Sequence, residues 1–261
     1  MTARLVIVQL DAGSDAKVPS GTVILGLPLV RRIVLAAQRA GADRVLVLAP
    51  DAGETRRLLE GTSAMVTAVH EPLPQLLPGR IVLLAGTMLF HAKWLRALFE
   101  VPIERERLYG EASLVGVMES DDPRGVLSGE AHGLATQDVF AVAAKARTVV
   151  PRMFPQEGRF VLAGSSDFRQ AEEWLLRGLI KETEGFMSRH VERRISLAIS
   201  RRLAPTSITP NVMTLFSVGV GLLGAPFFLS SAPAYQVTGA LLFLLHSILD
   251  GCDGELARLK F

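Results

Sequence analysis

Two aspartates stand together at the end of a long apolar stretch of this sequence. Asp250 and Asp253 are three residues apart, so on a helix their carboxylates share one face. Ionisable groups beside such a stretch are costly to bury and usually serve a function. Carboxylate pairs suit Mg²⁺ or Mn²⁺, which proteins commonly hold through a few carboxylates and the phosphates of a substrate. The alternative is that both acids are simply solvated at a helix end.

Small residues, an arginine and a histidine accompany this acidic pair. Gly254 and Ala257 leave room for another helix or a nucleotide to approach, and Arg258 is placed to neutralise phosphate charge. His246 lies one turn before Asp250, where a hydrogen bond from its ring would orient that carboxylate.

The element that carries these residues is predicted to cross a membrane. Residues 205–249 contain one ionisable side chain, His246. About 20 helical residues cross a hydrocarbon core of about 30 Å. We therefore expect one span over residues 211–230, with a kink at Pro226, and a second from about residue 234 into the acidic pair. Basic residues flank both outer ends, so the positive-inside tendency places both termini in the cytoplasm.

A basic amphipathic helix is predicted over residues 181–203, directly before the first span. Apolar residues recur there at helical spacing opposite five arginines: Met187, Val191, Ile195, Ala198 and Ile199 against Arg189, Arg193, Arg194, Arg201 and Arg202. Arginines beside anionic headgroups contribute roughly 1 kcal/mol each. We favour a helix on the membrane surface over a solvated connector.

Residues 1–180 have the pattern of a soluble α/β domain. Short runs rich in Val, Ile and Leu predict buried strands at residues 4–10, 44–49, 64–69, 80–85 and 113–118. Helical patterns lie between or after them at residues 27–40, 54–60, 91–99, 137–146 and 167–179. This alternation predicts a mostly parallel, Rossmann-like sheet with covering helices. The expected domains are residues 1–180, the juxtamembrane helix 181–204, and a membrane part over 205–261.

Composition narrows the partners and the compartment. A net charge of +2 is too small to argue for nucleic acid, and aromatic and basic residues do not interleave as in single-strand binders. One cysteine excludes an intrachain disulfide, which favours a reducing compartment for the soluble part. The apolar run at the N-terminus meets Asp11 too early for a signal peptide. We therefore expect an integral membrane protein whose N-terminal domain is cytoplasmic.

The acidic segment resembles the CDP-alcohol phosphotransferase family. Residues 250–258 match the first half of its signature, D-x-x-D-G-x-x-A-R-x8-G-x3-D-x3-D, at all five fixed positions. Residues 209–214 and 185–190 are similar to members that carry a fused nucleotidyltransferase-like domain.

The resemblance implies a homodimeric, six-helix enzyme of phospholipid or related polar-lipid biosynthesis. Asp250 and Asp253 would bind Mg²⁺ or Mn²⁺ on the diphosphate of a CDP-alcohol, the hydroxyl of an acceptor alcohol would attack the β-phosphorus, and CMP would leave. Gly254, Ala257, Arg258 and Asn211 would bind substrate.

The sequence departs from the family pattern where it stops, at Phe261. The third and fourth aspartates of the signature, of which the fourth is the expected general base, would lie beyond that residue. We therefore expect that the chain is a fragment of a longer protein, contains no catalytic base and is inactive alone.

Residues 26–29 and the following helix and strand are similar to sugar-phosphate nucleotidyltransferases. Three motifs of that family are altered here. The phosphate loop is residues 10–17, the metal-binding G-D position is Gly86-Thr87, and Val161 to Gly164 stand before Asp167 where a second acidic motif is expected. Without carboxylates for Mg²⁺, nucleotidyl transfer loses its main electrostatic stabiliser. We expect a degenerate domain; the alternatives are an active cytidylyltransferase or a regulatory or dimerising module.

Overall fold

The computed structural model describes residues 3–11, 18–68, 71–111, 114–128, 138–179 and 192–260 of the chain. Two compact units divide it, Met1–Ile24 with Pro28–Ala171 and Leu25–Leu27 with Glu172–Phe261. The domain boundaries expected from sequence remain predictions.

Eleven strands are present in the part that the structure describes. They are β1 (Ala3–Gln9), β2 (Val23–Ile24), β3 (Leu27–Pro28), β4 (Arg44–Ala49), β5 (Met65–Ala68), β6 (Gly79–Ala85), β7 (Met88–Phe90), β8 (Arg107–Glu111), β9 (Val115–Ser120), β10 (Thr148–Pro151) and β11 (Arg159–Val161). Seven of them form one sheet in the order β10-β8-β9-β6-β1-β4-β5. Strand β9 runs antiparallel to its neighbours β6 and β8, and the other pairs are parallel. The predicted mostly parallel α/β fold is confirmed.

The centre of this sheet is built from uninterrupted apolar runs. Strand β1 reads ARLVIVQ, and Leu5 to Val8 are all buried. Parallel strands covered on both faces require such runs. Each fully buried aliphatic side chain contributes about 1.5–3 kcal/mol relative to an exposed one. Burial of this run therefore fixes β1 between β4 and β6.

Six helices accompany the strands up to residue 177: α1 (Leu29–Arg39), α2 (Ala52–Leu58), α3 (Ala92–Glu100), α4 (Pro123–Ser128), α5 (Val139–Ala146) and α6 (Phe168–Arg177). Helix α1 buries Val30, Ile33, Val34 and Ala37, which recur on one helical face. It ends before Gly41, whose φ of 91° only glycine adopts readily.

A buried ion pair joins β8 to β11. Arg159 Nη2 donates to both carboxylate oxygens of Glu111, at 2.7 and 2.8 Å. The Arg159 side chain is 1% exposed, and its guanidinium lies 5.8 Å from the centre of the Trp94 ring. The hydrogen bond from Arg159 holds the pKa of the Glu111 carboxyl below its ordinary value. This pair therefore contributes to stability only while Glu111 is ionised.

Over residues 192–260 of the second unit the structure has three α-helices: α7 (Arg193–Leu203), α8 (Pro210–Gly224) and α9 (Pro233–Lys260). The Thr209 side chain caps α8 by accepting from the Val212 amide at 3.4 Å. A 3₁₀ segment, Ala225–Leu229, continues α8 and contains Pro226, which has no amide hydrogen for a regular helix. The structure thus changes helix type where the sequence predicts a kink.

Two segments of the second unit are long and apolar enough to cross a membrane. They are Pro210–Leu229, with 20 residues and a mean hydropathy of 2.0, and Pro233–Lys260, with 28 residues and a mean hydropathy of 1.2. Large apolar side chains are exposed on both, such as Leu215 and Leu229 on the first and Leu241 on the second. Length, composition and exposed surface agree with the two predicted spans.

The structure of helix α7 corrects one part of the predicted amphipathic pattern. Residues 181–191 of the predicted juxtamembrane helix lie outside the described residues. In the rest, Ile195 is exposed, but Arg193 turns inward and Ser196 and Ser200 are buried. The buried face of α7 carries these small polar residues where the helix packs against α9.

Candidate active site

Helix α9 places both signature aspartates on one side. A helix turns about 100° per residue, so residues three apart point about 60° from each other. Asp250 is exposed, and its carboxylate has no hydrogen bond or ion pair with the described residues. Asp253 is half-buried toward α8. The two carboxylates thus border one sector of the helix, as the sequence predicts.

Thr214 of α8 orients the second aspartate. Its Oγ1 lies 2.6 Å from Asp253 Oδ2, a short, charge-assisted hydrogen bond, and 3.1 Å from its own helix carbonyl at Pro210. Asn211 is exposed one turn earlier on α8, on the same side as Thr214. The N-terminal end of α8 therefore brings Asn211 and Thr214 toward Asp253.

His246 does not orient Asp250, contrary to the prediction. Its Nδ1 lies 2.9 Å from both the hydroxyl and the carbonyl oxygen of Ser217 on α8. Gly221 lies beside the ring, since a Cβ there would be in van der Waals contact with the imidazole at 3.4 Å. The ring faces α8, so its hydrogen-bond partner is Ser217 on that helix rather than Asp250, which is only close in sequence.

The glycine and arginine of the signature are in contact. Arg258 Nε donates to the Gly254 carbonyl at 3.1 Å, and a Cβ on Gly254 would lie 3.9 Å from Arg258 Nη2. The guanidinium therefore folds back along α9 toward Gly254, one residue after Asp253. Ala257 is half-buried on the same helix. The roles expected for a small residue and a cation beside a diphosphate remain predictions.

Sequence reasoning missed a buried ion pair between α7 and α9. Arg193 Nη1 and Ser196 Oγ donate to Glu255 Oε1 at 2.8 and 2.7 Å. Glu255 is 0% exposed although it occupies a variable position of the signature. The available signal was the spacing of Cys252, Glu255, Leu256 and Leu259, which marks the buried face of α9.

The donor set of the site fits a divalent metal that is shared with a substrate. Within the residues that the structure describes, no three His, Cys, Asp or Glu side chains form a complete ligand group. Asp250 and Asp253 supply hard oxygen ligands, and the Asp253 carboxylate is already oriented by a hydrogen bond. Mg²⁺ commonly binds through one or two carboxylates plus substrate phosphates, so these two residues fit such a site.

In the first unit, the altered nucleotidyltransferase positions are used within the fold. Residues 12–17 of the phosphate loop, which include Gly13 and Lys17, lie outside the described residues. The Thr87 carbonyl accepts the Leu162 amide at 2.9 Å, and Gln9 Oε1 accepts the Val139 amide at 2.7 Å. Asp167 accepts the Ala163 amide at 2.7 Å, which holds the pKa of its carboxyl below the ordinary value. Carboxylates expected at Gly86-Thr87 and before Asp167 are thus replaced by neutral residues.

No family model matches the chain. Over 93 residues, or 35% of the chain, it is 42% identical to the bifunctional IPC transferase and DIPP synthase of Thermococcus kodakarensis. Over 55 residues, or 21% of the chain, it is 40% identical to the ceramide phosphoethanolamine synthase of Drosophila melanogaster. These matches cover 20% and 14% of those proteins, so the chain spans about a fifth or less of the curated relatives it matches.

A solved nucleotidyl transferase from Methanothermobacter thermautotrophicus is also similar. It is 17% identical with a TM-score of 0.45, and the match covers 67% of this chain and 99% of that one. The sequence relatives are transferases or synthases by name. They confirm that this chain resembles the CDP-alcohol phosphotransferase family, as the segment from Asp250 to Arg258 predicts.

Proposed function

We propose that the protein carrying this chain transfers a substituted phosphate group from a CDP-alcohol to an acceptor alcohol and releases CMP. The observation that carries the proposal is the placement of Asp250 and Asp253 on one side of α9, with Asp253 held by Thr214. The five matched signature positions support the assignment of this pair to a diphosphate-bound metal. The similarity to a bifunctional transferase and synthase supports the reaction class.

Each residue of the site has a distinct task in this proposal. Asp250 and Asp253 would hold Mg²⁺ or Mn²⁺, which when bound would neutralise charge on the diphosphate. Gly254 and Ala257 leave the helix surface open for the nucleotide. Arg258 and Asn211 bind substrate, through charge and through hydrogen bonds. The resemblance assigns deprotonation of the acceptor hydroxyl to a general base that is not among these residues.

The proposal includes the setting of the enzyme. Segments Pro210–Leu229 and Pro233–Lys260 would cross the bilayer, with the α/β unit in the cytoplasm. The arginines of α7 would lie on that side, at the level of the headgroups. The protein would act as a homodimer in the synthesis of phospholipids or related polar lipids.

The α/β unit would bind or scaffold without catalysing nucleotidyl transfer. Thr87, Val161 and Ala163 stand where acidic ligands are expected, and Thr87 and Ala163 are engaged through their backbone. Cytidylyl transfer by this unit is the alternative, since the relative from Thermococcus kodakarensis is bifunctional by name.

The experiment is a transfer assay on the full-length protein in liposomes. We expect CMP release from at least one CDP-alcohol when a panel of acceptor alcohols is offered. The release should stop when EDTA removes the divalent metal and return when Mn²⁺ is restored. Absence of CMP release with every donor and acceptor, from protein shown to be inserted and folded, would refute the proposed reaction.

A further inference from the structure

Helix α7 is attached to α9, the helix that carries Asp250 and Asp253, by a buried carboxylate. Glu255 is 0% exposed, and its Oε1 accepts from Arg193 and Ser196. The Sγ of Cys252 lies 3.5 Å from the Ser196 carbonyl oxygen. Because a buried charge is costly without a partner, the carboxylate and the guanidinium must stay together. The pair therefore fixes where the Arg193 guanidinium lies.

That position is beside the proposed metal ligand. A Cβ on Gly251 would lie 3.4 Å from Arg193 Nη1, so the guanidinium lies next to Gly251, the residue after Asp250. The Arg193 side chain is still 16% exposed. Its cationic group is thus held at the surface of α9 without being sealed into the interior.

A polar cavity separates the two helices at this point. Its volume is about 180 Å³, and its walls include Arg193 and Ser196 from α7, Glu192 just before that helix, and Ser247, Asp250 and Gly251 from α9. Since a water molecule occupies about 30 Å³, the cavity has room for several water-sized groups or for one phosphate with its solvent. A carboxylate that suits a metal and a guanidinium that suits a phosphate therefore face the same space.

We propose that Arg193 contacts the diphosphate of the CDP-alcohol at this cavity and that Glu255 is a positioning residue that holds Arg193 there. The inference rests on the proposed function, because it takes the substrate to be a CDP-alcohol. Arginine can donate several hydrogen bonds from one planar group, so Arg193 can serve Glu255 and a phosphate oxygen together. Helix α7 would then form a wall of the active site.

The chain offers a matched control for this test. Arg194 is the next residue, carries the same charge, is exposed, and lies about 100° further round α7. If the arginines of α7 acted only by general attraction to an anionic ligand, Arg194→Gln and Arg193→Gln would weaken binding equally. A difference between the two variants therefore reports a position-specific contact.

The first experiment measures binding of CDP with Mn²⁺ by titration calorimetry on the full-length protein in detergent. CDP is the probe because every CDP-alcohol contains its diphosphate. A charge-assisted hydrogen bond is worth roughly 10-fold to 100-fold in affinity. We expect Arg193→Gln and Glu255→Gln to weaken CDP binding by about that factor, and Arg194→Gln to change it less than about 2-fold. Equal binding by the Arg193 and Arg194 variants would overturn the inference.

A charge-swapped double variant separates positioning from mere stability. Arg193→Glu with Glu255→Arg keeps an ion pair between the helices but moves the guanidinium to α9. We expect it to restore the thermal unfolding temperature lost by Glu255→Gln while CDP binding stays weak. Recovery of both would show that the pair acts on folding alone, against the inference. Wild-type protein that binds CDP but releases no CMP from any CDP-alcohol would instead contradict the proposed reaction.

Discussion

Removing the hydroxyl of Thr214 tests whether α8 orients Asp253, the proposed metal ligand. Thr214→Val keeps the branched shape of the side chain but cannot donate to Asp253 Oδ2, now 2.6 Å away. Thr214 is exposed, so the change leaves no core cavity and should cost little stability. The lost interaction is a hydrogen bond to a charged group, worth about 1.5–3 kcal/mol.

That energy converts into a measurable loss of metal affinity and rate. Each 1.4 kcal/mol is a factor of ten, so we expect a decrease of roughly 10-fold to 100-fold in kcat/KM at limiting Mn²⁺. The assay is CMP release from a CDP-alcohol in liposomes across a Mn²⁺ titration. Binding of Mn²⁺, followed by the electron paramagnetic resonance signal of the free ion, gives a readout independent of turnover.

Two further variants define the comparison. Thr214→Ser retains the hydroxyl and should keep most of the affinity for Mn²⁺. Thr238→Val removes a hydroxyl on α9 that bonds only to its own helix carbonyl at Ala234, 2.9 Å away, and should behave like wild type. The reasoning is refuted if Thr214→Val matches Thr238→Val, or if Thr214→Ser is as impaired as Thr214→Val.

Three other predictions concern the α/β unit and the membrane topology. A fragment of residues 1–180, incubated with CTP, Mg²⁺ and phosphorylated polyols, should release no pyrophosphate above background; robust release would establish the cytidylyltransferase alternative. With the native cysteine replaced, single cysteines at Ser188 and Ser231 should be labelled from opposite faces of the membrane, and labelling of both from one face would exclude two complete spans. Glu111→Gln leaves a buried guanidinium unpaired and should lower the free energy of unfolding by about 3–5 kcal/mol at pH 7, whereas Glu104→Gln, in an exposed pair, should cost less than about 1 kcal/mol. The pKa of the Glu111 carboxyl is lower in the folded protein than in the unfolded chain. The stabilisation from this ion pair is therefore complete above the unfolded pKa of about 4.3 and is lost as the pH falls through the folded pKa. Equal pH dependence of the unfolding free energy in wild type and Glu111→Gln would contradict this.

The parts of the fold that sequence predicts are those governed by local periodicity. The strands and helices around the sheet centre were predicted to within a few residues, because long apolar runs and helical spacing determine them. Strands β8 and β10 were missed. Strand β8 reads RLYGE and β10 is only four residues long, so neither carries a clear period-two pattern. Their pairing depends on the neighbouring strands rather than on their own residues.

The same distinction applies to the site. Helix geometry alone puts Asp250 and Asp253 on one side of α9, so spacing predicts it. Contacts between helices cannot be read from spacing, which is why Thr214 was not singled out and His246 was given the wrong partner. Glu255 points away from the two aspartates, and α7 buries it. It therefore cannot serve as the neutral control that its variable signature position suggests.

The most direct test of the proposed function is to neutralise the two aspartates without changing their shape. Asp250→Asn and Asp253→Asn in the full-length protein should each reduce CMP release at least about 10²-fold to 10³-fold, the typical cost of one electrostatic stabiliser, while the protein stays inserted and folded. Asp51→Asn is the matched control, because Asp51 caps α2 in the other unit and asparagine caps equally well. We predict that Asp51→Asn retains wild-type CMP release across a Mn²⁺ titration and that the other two variants do not. Equal activity of all three variants would contradict the assignment of Asp250 and Asp253 to a catalytic metal.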